Sequence, residues 1–308
     1  MLGAGAGGGV PQWNCNCAVC VAARSNASNV LPRTQSSIAV SADGENWCVV
    51  NCSPDIRQQI LNTSCLHPRD PQTAGRRDTP IHSVVLTNGD VDHIAGLLIL
   101  REKQPFRLLA TPNIQHMLRE NPIFDVLDPS YVVREDLPID ASVEVAPQLR
   151  MEAFLVPGKV PLFLEGSAQD GAGPPEIGIE TEYTIGLKIG HSRSARHFFY
   201  IPGCAALPDD LKARVRGAAL LLFDGTVWEN EEMIAKGVGA KTGRRMGHMS
   251  MSGAEGSMAG FASLGVRRKV FVHINNTNPV LFDDSPERGR AEDQGWEIAF
   301  DGMEIVLQ

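Results

Sequence analysis

The chain lacks any stretch of about 18 consecutive apolar residues, the usual minimum for a membrane-crossing helix, so no membrane insertion is expected. Its start, MLGAGAGGGVPQW, has neither a basic opening nor a sustained apolar run, which argues against a secretory leader and points to the cytoplasm. Positive charge is scarce too: 28 Lys and Arg stand against 36 Asp and Glu, for a formal charge of −8 and a pI near 5.5. Nucleic acid is gripped by a basic footprint, so it is excluded as a partner, while small cationic or zwitterionic substrates stay open. No segment of about 20–50 residues repeats, which removes a solenoid. The cysteine count is odd, seven, with three packed into CNCAVC; a secreted disulfide scaffold is therefore not expected, and metal-binding thiolates in a reducing compartment are.

What is present is enough apolar material for a well-filled core, 43% of 308 residues. Strand-like runs fall at 37–42, 47–52, 83–88 and 106–110, and again near 151–156, 183–189, 197–201, 219–224, 269–274 and 296–307. Helices are predicted at 54–62 and 112–119, where Ser53-Pro54 and Thr111-Pro112 give a cap followed by proline, and at 93–103, 208–215 and 253–264. Two halves, each strands then helices, summarise the pattern. Stretches 67–80, 165–177 and 283–295 are polar and rich in Gly or Pro; they read as loops, the middle one as a lid.

Four patterns bear on chemistry. GAGAGG fits G-x-G-x-x-G at Gly3, Gly5 and Gly8, but no strand precedes it and no helix follows, so it reads as a flexible entry to the site rather than a phosphate cradle. Cys15, Cys17 and Cys20 lie within six residues, close enough for three thiolates to share one structural zinc; the plainer reading is surface thiols, which as bare thiolates would repel. Cys48, Cys52, Cys65 and Cys204 read as ordinary small residues.

The run VVLTNGDVDHIAGLL places Asn88, Asp90, Asp92 and His93 where a strand meets a helix, and KVFVHINNTNP ends a second strand on His273. Asp92, His93 and His273 would make the two-imidazole, one-carboxylate set that leaves positions open on a non-haem Fe(II) for O₂ and substrate, whereas zinc more usually takes three firm ligands and hydrolyses. The plainer reading of Asp92-His93 is a helix cap and first-turn residue. Asp90, on the same turn, is a candidate further ligand or an acceptor for substrate. Asp224 and His248 form a candidate carboxylate–histidine pair for general acid–base work, with a surface histidine as the alternative.

The motifs GGGVPQWNCNCAVC, SPDIRQQI, LTNGDVDHIAGLLILRE, FDGTVWENEEM and VHINNTNPVL together resemble the coenzyme pyrroloquinoline quinone (PQQ) biosynthesis protein B family, within the metallo-β-lactamase superfamily, from residue 3 to the C-terminus. The resemblance implies an αββα four-layer sandwich, one metallo-β-lactamase-like domain over 1–308 with a zinc-binding segment at 13–21. It also implies Fe(II)- and O₂-dependent hydroxylation of the tyrosine ring of a Glu–Tyr-derived PQQ precursor, with other PQQ-pathway proteins as partners. An older reading of the family is a carrier for PQQ or its precursor, and the superfamily at large suggests a zinc-dependent hydrolase or phosphodiesterase.

Hydrolases of the superfamily carry H-x-H-x-D-H where this sequence has Asn88-Gly-Asp90-Val-Asp92-His93. Their later metal histidine would fall at Pro157, Gly158 and Lys159, and their bridging aspartate at Gly203. The resemblance thus leaves Asp92, His93 and His273 around one metal. Related phosphodiesterases complete the thiolate zinc three residues after the final histidine, which here is Asn276, a poor zinc ligand. Asp224 and His248 match the acid–histidine pair of the tRNA-processing branch.

Overall fold

Short runs of aliphatic and β-branched residues, each cut off by a turn, form the strands of the computed structural model, which describes residues 1–161 and 177–307. Strands β1 (Ile38–Ser41), β2 (Trp47–Val50), β3 (Ile81–Val85), β4 (Phe106–Ala110) and β5 (Val132–Asp136) lie side by side in that order, β1 and β2 antiparallel and the rest parallel. The second sheet holds β6 (Ser142–Ala146), β7 (Leu149–Gly158), β8 (Ile179–His191), β9 (His197–Ile201), β10 (Leu220–Asp224), β11 (Arg268–Val272) and β12 (Trp296–Ile298), in the order β12-β11-β10-β9-β8-β7-β6. Its β9 to β12 portion is parallel and the remainder antiparallel.

Both faces of each sheet are apolar because each is covered. Val50, Val85 and Leu109 of the first sheet pack against Leu187, Tyr200, Leu222 and Val272 of the second. The outer face of the first sheet takes Ile56 from α2 (Ile56–Leu61) and Ile114 and Leu118 from α5 (Pro112–Glu120). The outer face of the second takes Val19 from α1 (Ala18–Arg24), Leu211 from α6 (Asp209–Val215), Phe261 from α8 (Ser257–Phe261) and Ala291 from α9 (Pro286–Asp293). Helices outside two facing sheets are the expected αββα sandwich.

Several elements differ from the sequence expectation. The helix expected at 93–103 is α4 (Val91–Ile94) followed by a 3₁₀ turn at Ala95–Leu98. The cause is Gly96, whose N–H donates to the Cys52 carbonyl at 2.9 Å and whose added Cβ would lie 2.1 Å from the Ser53 carbonyl oxygen. Asp55, not Ser53, precedes α2, while Ser53 bonds Gln59. The strand expected at 296–307 stops at Ile298. The stretch 283–295 contains α9, capped by Ser285 and opened by Pro286, the same signal used at Thr111-Pro112. A short helix α3 (Pro71–Ala74) interrupts 67–80, and α7 (Glu232–Ala235) follows β10. Strands β5 and β6 were not expected. The lid expected at 165–177 lies outside the described residues except for its last residue. No helix among the described residues is long and apolar enough to cross a membrane.

Candidate metal centre

The C-terminal ends of parallel strands share one sheet edge, and here the edges of both sheets contribute. The segment after β3 leads through Asn88 and Asp90 into α4, which carries Asp92 and His93; β10 ends on Asp224; β11 delivers His273. The His93 backbone is pinned by its N–H to the Asp90 carbonyl (2.9 Å) and its carbonyl to the Cys52 N–H (2.7 Å). His273 holds φ at 55°, a left-handed backbone that non-glycine residues rarely adopt and that concentrates at functional sites.

Asp92 Oδ2 lies 3.3 Å from His273 Nε2 and 3.7 Å from His93 Nε2, and the three groups offer ligand atoms all within 4.8 Å of one another. His93 is buried, and neither ring nitrogen has a hydrogen-bond partner among the described residues. A buried imidazole without a hydrogen bond is costly, and a cation at this point would accept its lone pair. Burial pushes the His93 proton affinity down, to a pKa of about 4, with Asp92 opposing only in part; the ring is thus neutral, the form that binds metal. Burial would raise the Asp92 carboxyl, but the hydrogen bond and the charge of the protonated His273 ring hold it below the usual carboxylate range. Burial also works against a proton on His273, and Asp92 more than reverses this, so that imidazole is pulled upward until a cation takes the place of its proton. The residues fit one metal ion.

The positions where hydrolytic relatives hold a second metal are used otherwise. Asn88 Oδ1 accepts the Asp90 N–H (3.0 Å), a turn contact. Lys159, in the Pro157–Lys159 stretch near which the resemblance puts a further metal histidine, sends Nζ to both Asp90 oxygens at 2.9 Å. Gly203, where the bridging aspartate would stand, faces His248: an added Cβ would meet His248 Cε1 at 3.5 Å. Asp90, considered as a further ligand, is therefore tied to a lysine, and a metal would have to displace that ion pair.

Asp224 and His248 do meet, Nδ1 to Oδ2 at 2.7 Å, and the His248 ring stacks on His273 with centroids 5.0 Å apart. Asp224 is fully buried, and its other acceptor sites take the N–H groups of Cys204 and Thr226 and the Thr226 hydroxyl. With four donors on two oxygens it is an orienting group rather than a ligand. Thr226 escaped the sequence reading although it stands in FDGT; a threonine two residues after an acid carries no distinctive signal.

The three thiols also converge, within 4.8 Å. Cys17 precedes α1 and Cys20 sits in its first turn, so one helical turn folds Cys20 back toward Cys15 and Cys17. Arg24 clamps the loop through the carbonyls of Gln12 and Cys15. The Asn276 side-chain nitrogen stands 3.1 Å from Cys20 Sγ and 3.8 Å from Cys17 Sγ, at the open side of the cluster. Burial raises the Cys17 thiol to about 12, whereas Cys15 is drawn down because the N–H of Cys17 and the neighbouring thiols outweigh its burial. As thiolates, the three would repel one another at this spacing without a cation. The glycine-rich start is not a flexible entry. Ala4 and Ala6 bond along Ile274, and Gly7 passes the metal centre so closely that a Cβ would sit 3.4 Å from the Asp92 carboxyl carbon.

Residues 46–274 match the family model described as Beta-lactamase superfamily domain. The chain is 53% identical over 307 residues to Coenzyme PQQ synthesis protein B of Methylorubrum extorquens, covering 100% of this chain and 99% of that protein. The crystal structure of Zn(2+)-bound PqqB from Methylobacterium extorquens superposes with a TM-score of 0.94 at 53% identity, covering 99% of this chain and 98% of that one. A diphosphatase from the PhnP family shares the fold, with a TM-score of 0.67 at 20% identity over 100% of this chain and 96% of its own.

Proposed function

This chain belongs to the coenzyme PQQ synthesis protein B family, and on that premise we propose that it is a metal-dependent hydroxylase of PQQ biosynthesis, acting with Fe(II) and O₂ on the tyrosine ring of a Glu–Tyr-derived precursor. The observation that carries this reading is the donor set Asp92, His93 and His273, next to which the Asp224–His248–His273 group has its carboxylate filled by four hydrogen-bond donors, while Asn88, an Asp90–Lys159 ion pair and Gly203 stand where the resemblance puts the other ligands of a two-metal site. Fe(II) held by one carboxylate and two imidazoles keeps coordination positions open and supplies the oxidative chemistry when bound.

The chain's own side chains account for the rest. His248 keeps Nδ1 on Asp224, so Nε2 is the nitrogen left to take a proton from the substrate ring hydroxyl or return one. Asp90 and Lys159, 23% and 14% exposed, offer a carboxylate and an ammonium to the charged ends of an amino-acid-derived substrate. Gly7 lies against the Asp92 carboxylate, so backbone rather than a side chain narrows that edge of the site. Cys15, Cys17 and Cys20, with Asn276 as the fourth group once its amide turns to present Oδ1, hold a structural zinc that ties the 13–21 segment to the loop after His273.

A second reading, a zinc-dependent hydrolase, is favoured by the zinc-bound relative. Protein purified without oxygen, loaded with Fe(II) or Zn(II) and given the precursor, separates the two. Oxygen uptake and ring hydroxylation with iron, inhibited by zinc, are expected. A zinc-only protein that cleaves a phosphodiester or lactam without oxygen uptake would establish the hydrolase, and tight binding of PQQ without turnover a carrier.

A further inference from the structure

Thr226 is buried between the metal centre and the Asp224–His248 pair, and its hydroxyl oxygen touches all of them: Asp224 Oδ1 at 2.6 Å, His273 Nδ1 at 2.8 Å, the His273 carbonyl at 2.9 Å and His248 Nδ1 at 3.1 Å. A hydroxyl has one proton to give and two lone pairs with which to accept. The carboxylate is the strongest acceptor of the four contacts and also the nearest, at a separation typical of a hydroxyl donating to a carboxylate. The proton therefore goes to Asp224, and the carbonyl at 2.9 Å is the weaker competitor. Once it is spent there, the oxygen meets His273 Nδ1 only as an acceptor.

From this we infer that Thr226 is a positioning residue that fixes the tautomers of two histidines at once, holding His273 with its proton on Nδ1 so that Nε2 is bare toward Asp92 and a metal. His248 follows the same rule, its Nδ1–H shared between Asp224 Oδ2 at 2.7 Å and Thr226 Oγ1 at 3.1 Å, leaving its Nε2 bare as well. One short side chain thus couples ligand and acid–base group to a single buried carboxylate, and explains how Asp224 serves the metal without binding it. The Thr226 N–H, bonded to the same Asp224 oxygen as its hydroxyl, locks the threonine in place. Orienting partners of this kind are worth about 10- to 100-fold in metal affinity.

The inference rests on His273 as a metal ligand, and the experiment keeps the two apart. Thr226→Val preserves shape and removes the hydroxyl; Thr226→Ser restores it. Zn(II) affinity of the centre is measured by competition with a chelator, and the ¹⁵N imidazole resonances of His273 and His248 are followed in the zinc-loaded protein. Thr226→Val is expected to lose about 10- to 100-fold in affinity and to shift or broaden the His273 Nδ1–H signal, with Thr226→Ser within about threefold of the parent. Parent-like affinity and an unchanged Nδ1–H signal in Thr226→Val would overturn the tautomer role. So would a parent spectrum in which Nδ1 is the metal-bound nitrogen, a result that stands even if Thr226→Val fails to fold. Retention of the centre's metal by His273→Ala would instead overturn the ligand reading itself.

Discussion

The thiol cluster and the Asp92–His93–His273 centre both meet one loop, since His273 serves the centre and Asn276 faces the thiols. They differ in where the other groups come from. Three thiols arise within one six-residue stretch and need only the first turn of α1 to converge, whereas Asp92 and His273 stand 181 residues apart and meet only because two sheets align their edges. They differ also in their surroundings. The thiols are enclosed by backbone and by an amide, groups that neither donate nor take protons near neutral pH. The centre has the stacked imidazole of His248 and the Asp90–Lys159 ion pair within its walls. Local convergence without proton carriers suits a clip, and long-range convergence beside them suits chemistry.

Four substitutions test that contrast, Asn88→Ala among them as a control. The largest effect is expected from His93→Ala, which deletes an imidazole with no hydrogen-bond partner among the described residues: the centre should lose its metal and essentially all turnover while the zinc of the thiol cluster stays, as read by metal analysis of the same sample. Asn88→Ala, which removes only a turn contact, should leave the centre's metal in place. Next comes His248→Ala, expected to keep full metal loading and to lose about 10²- to 10⁴-fold in turnover; loss of metal in this variant would make His248 a ligand and redraw the boundary between site and support. The smallest effect on activity is expected from Cys17→Ser. About one zinc per chain should be lost and the melting temperature should fall by roughly 4–10 °C, with the centre's metal retained. Unchanged zinc content would remove the clip from the comparison altogether.

The family and its sandwich were legible because the quoted motifs are specific and because Thr-Pro and buried aliphatic runs mark element ends, as β4, β9 and α5 illustrate. Asp92, His93, His273 and Asp224 were legible as residues at strand ends, and His248 as a loop histidine ahead of a helix. Less legible were elements whose ends depend on distant neighbours. The stretch after His93 reads as a full helix until Gly96 is pressed onto the Cys52–Ser53 backbone, a contact made across the fold. The glycine-rich start reads as loose until Ile274 is laid beside it.

By itself the sequence determined which chemistry was at hand: a thiol triplet whose spacing leaves few ways to avoid a shared cation, and two imidazoles and a carboxylate at strand ends, without the extra histidines of a two-metal loop. Only the tertiary structure decided how those groups are wired. It set Lys159 on Asp90, packed Gly203 against His248 and placed one threonine hydroxyl between an acid and two rings. Spacing within a turn is dictated by covalent geometry and can be read along the chain, but a hydrogen bond depends on fractions of an ångström between atoms brought together by sheet register, which is a property of the whole fold.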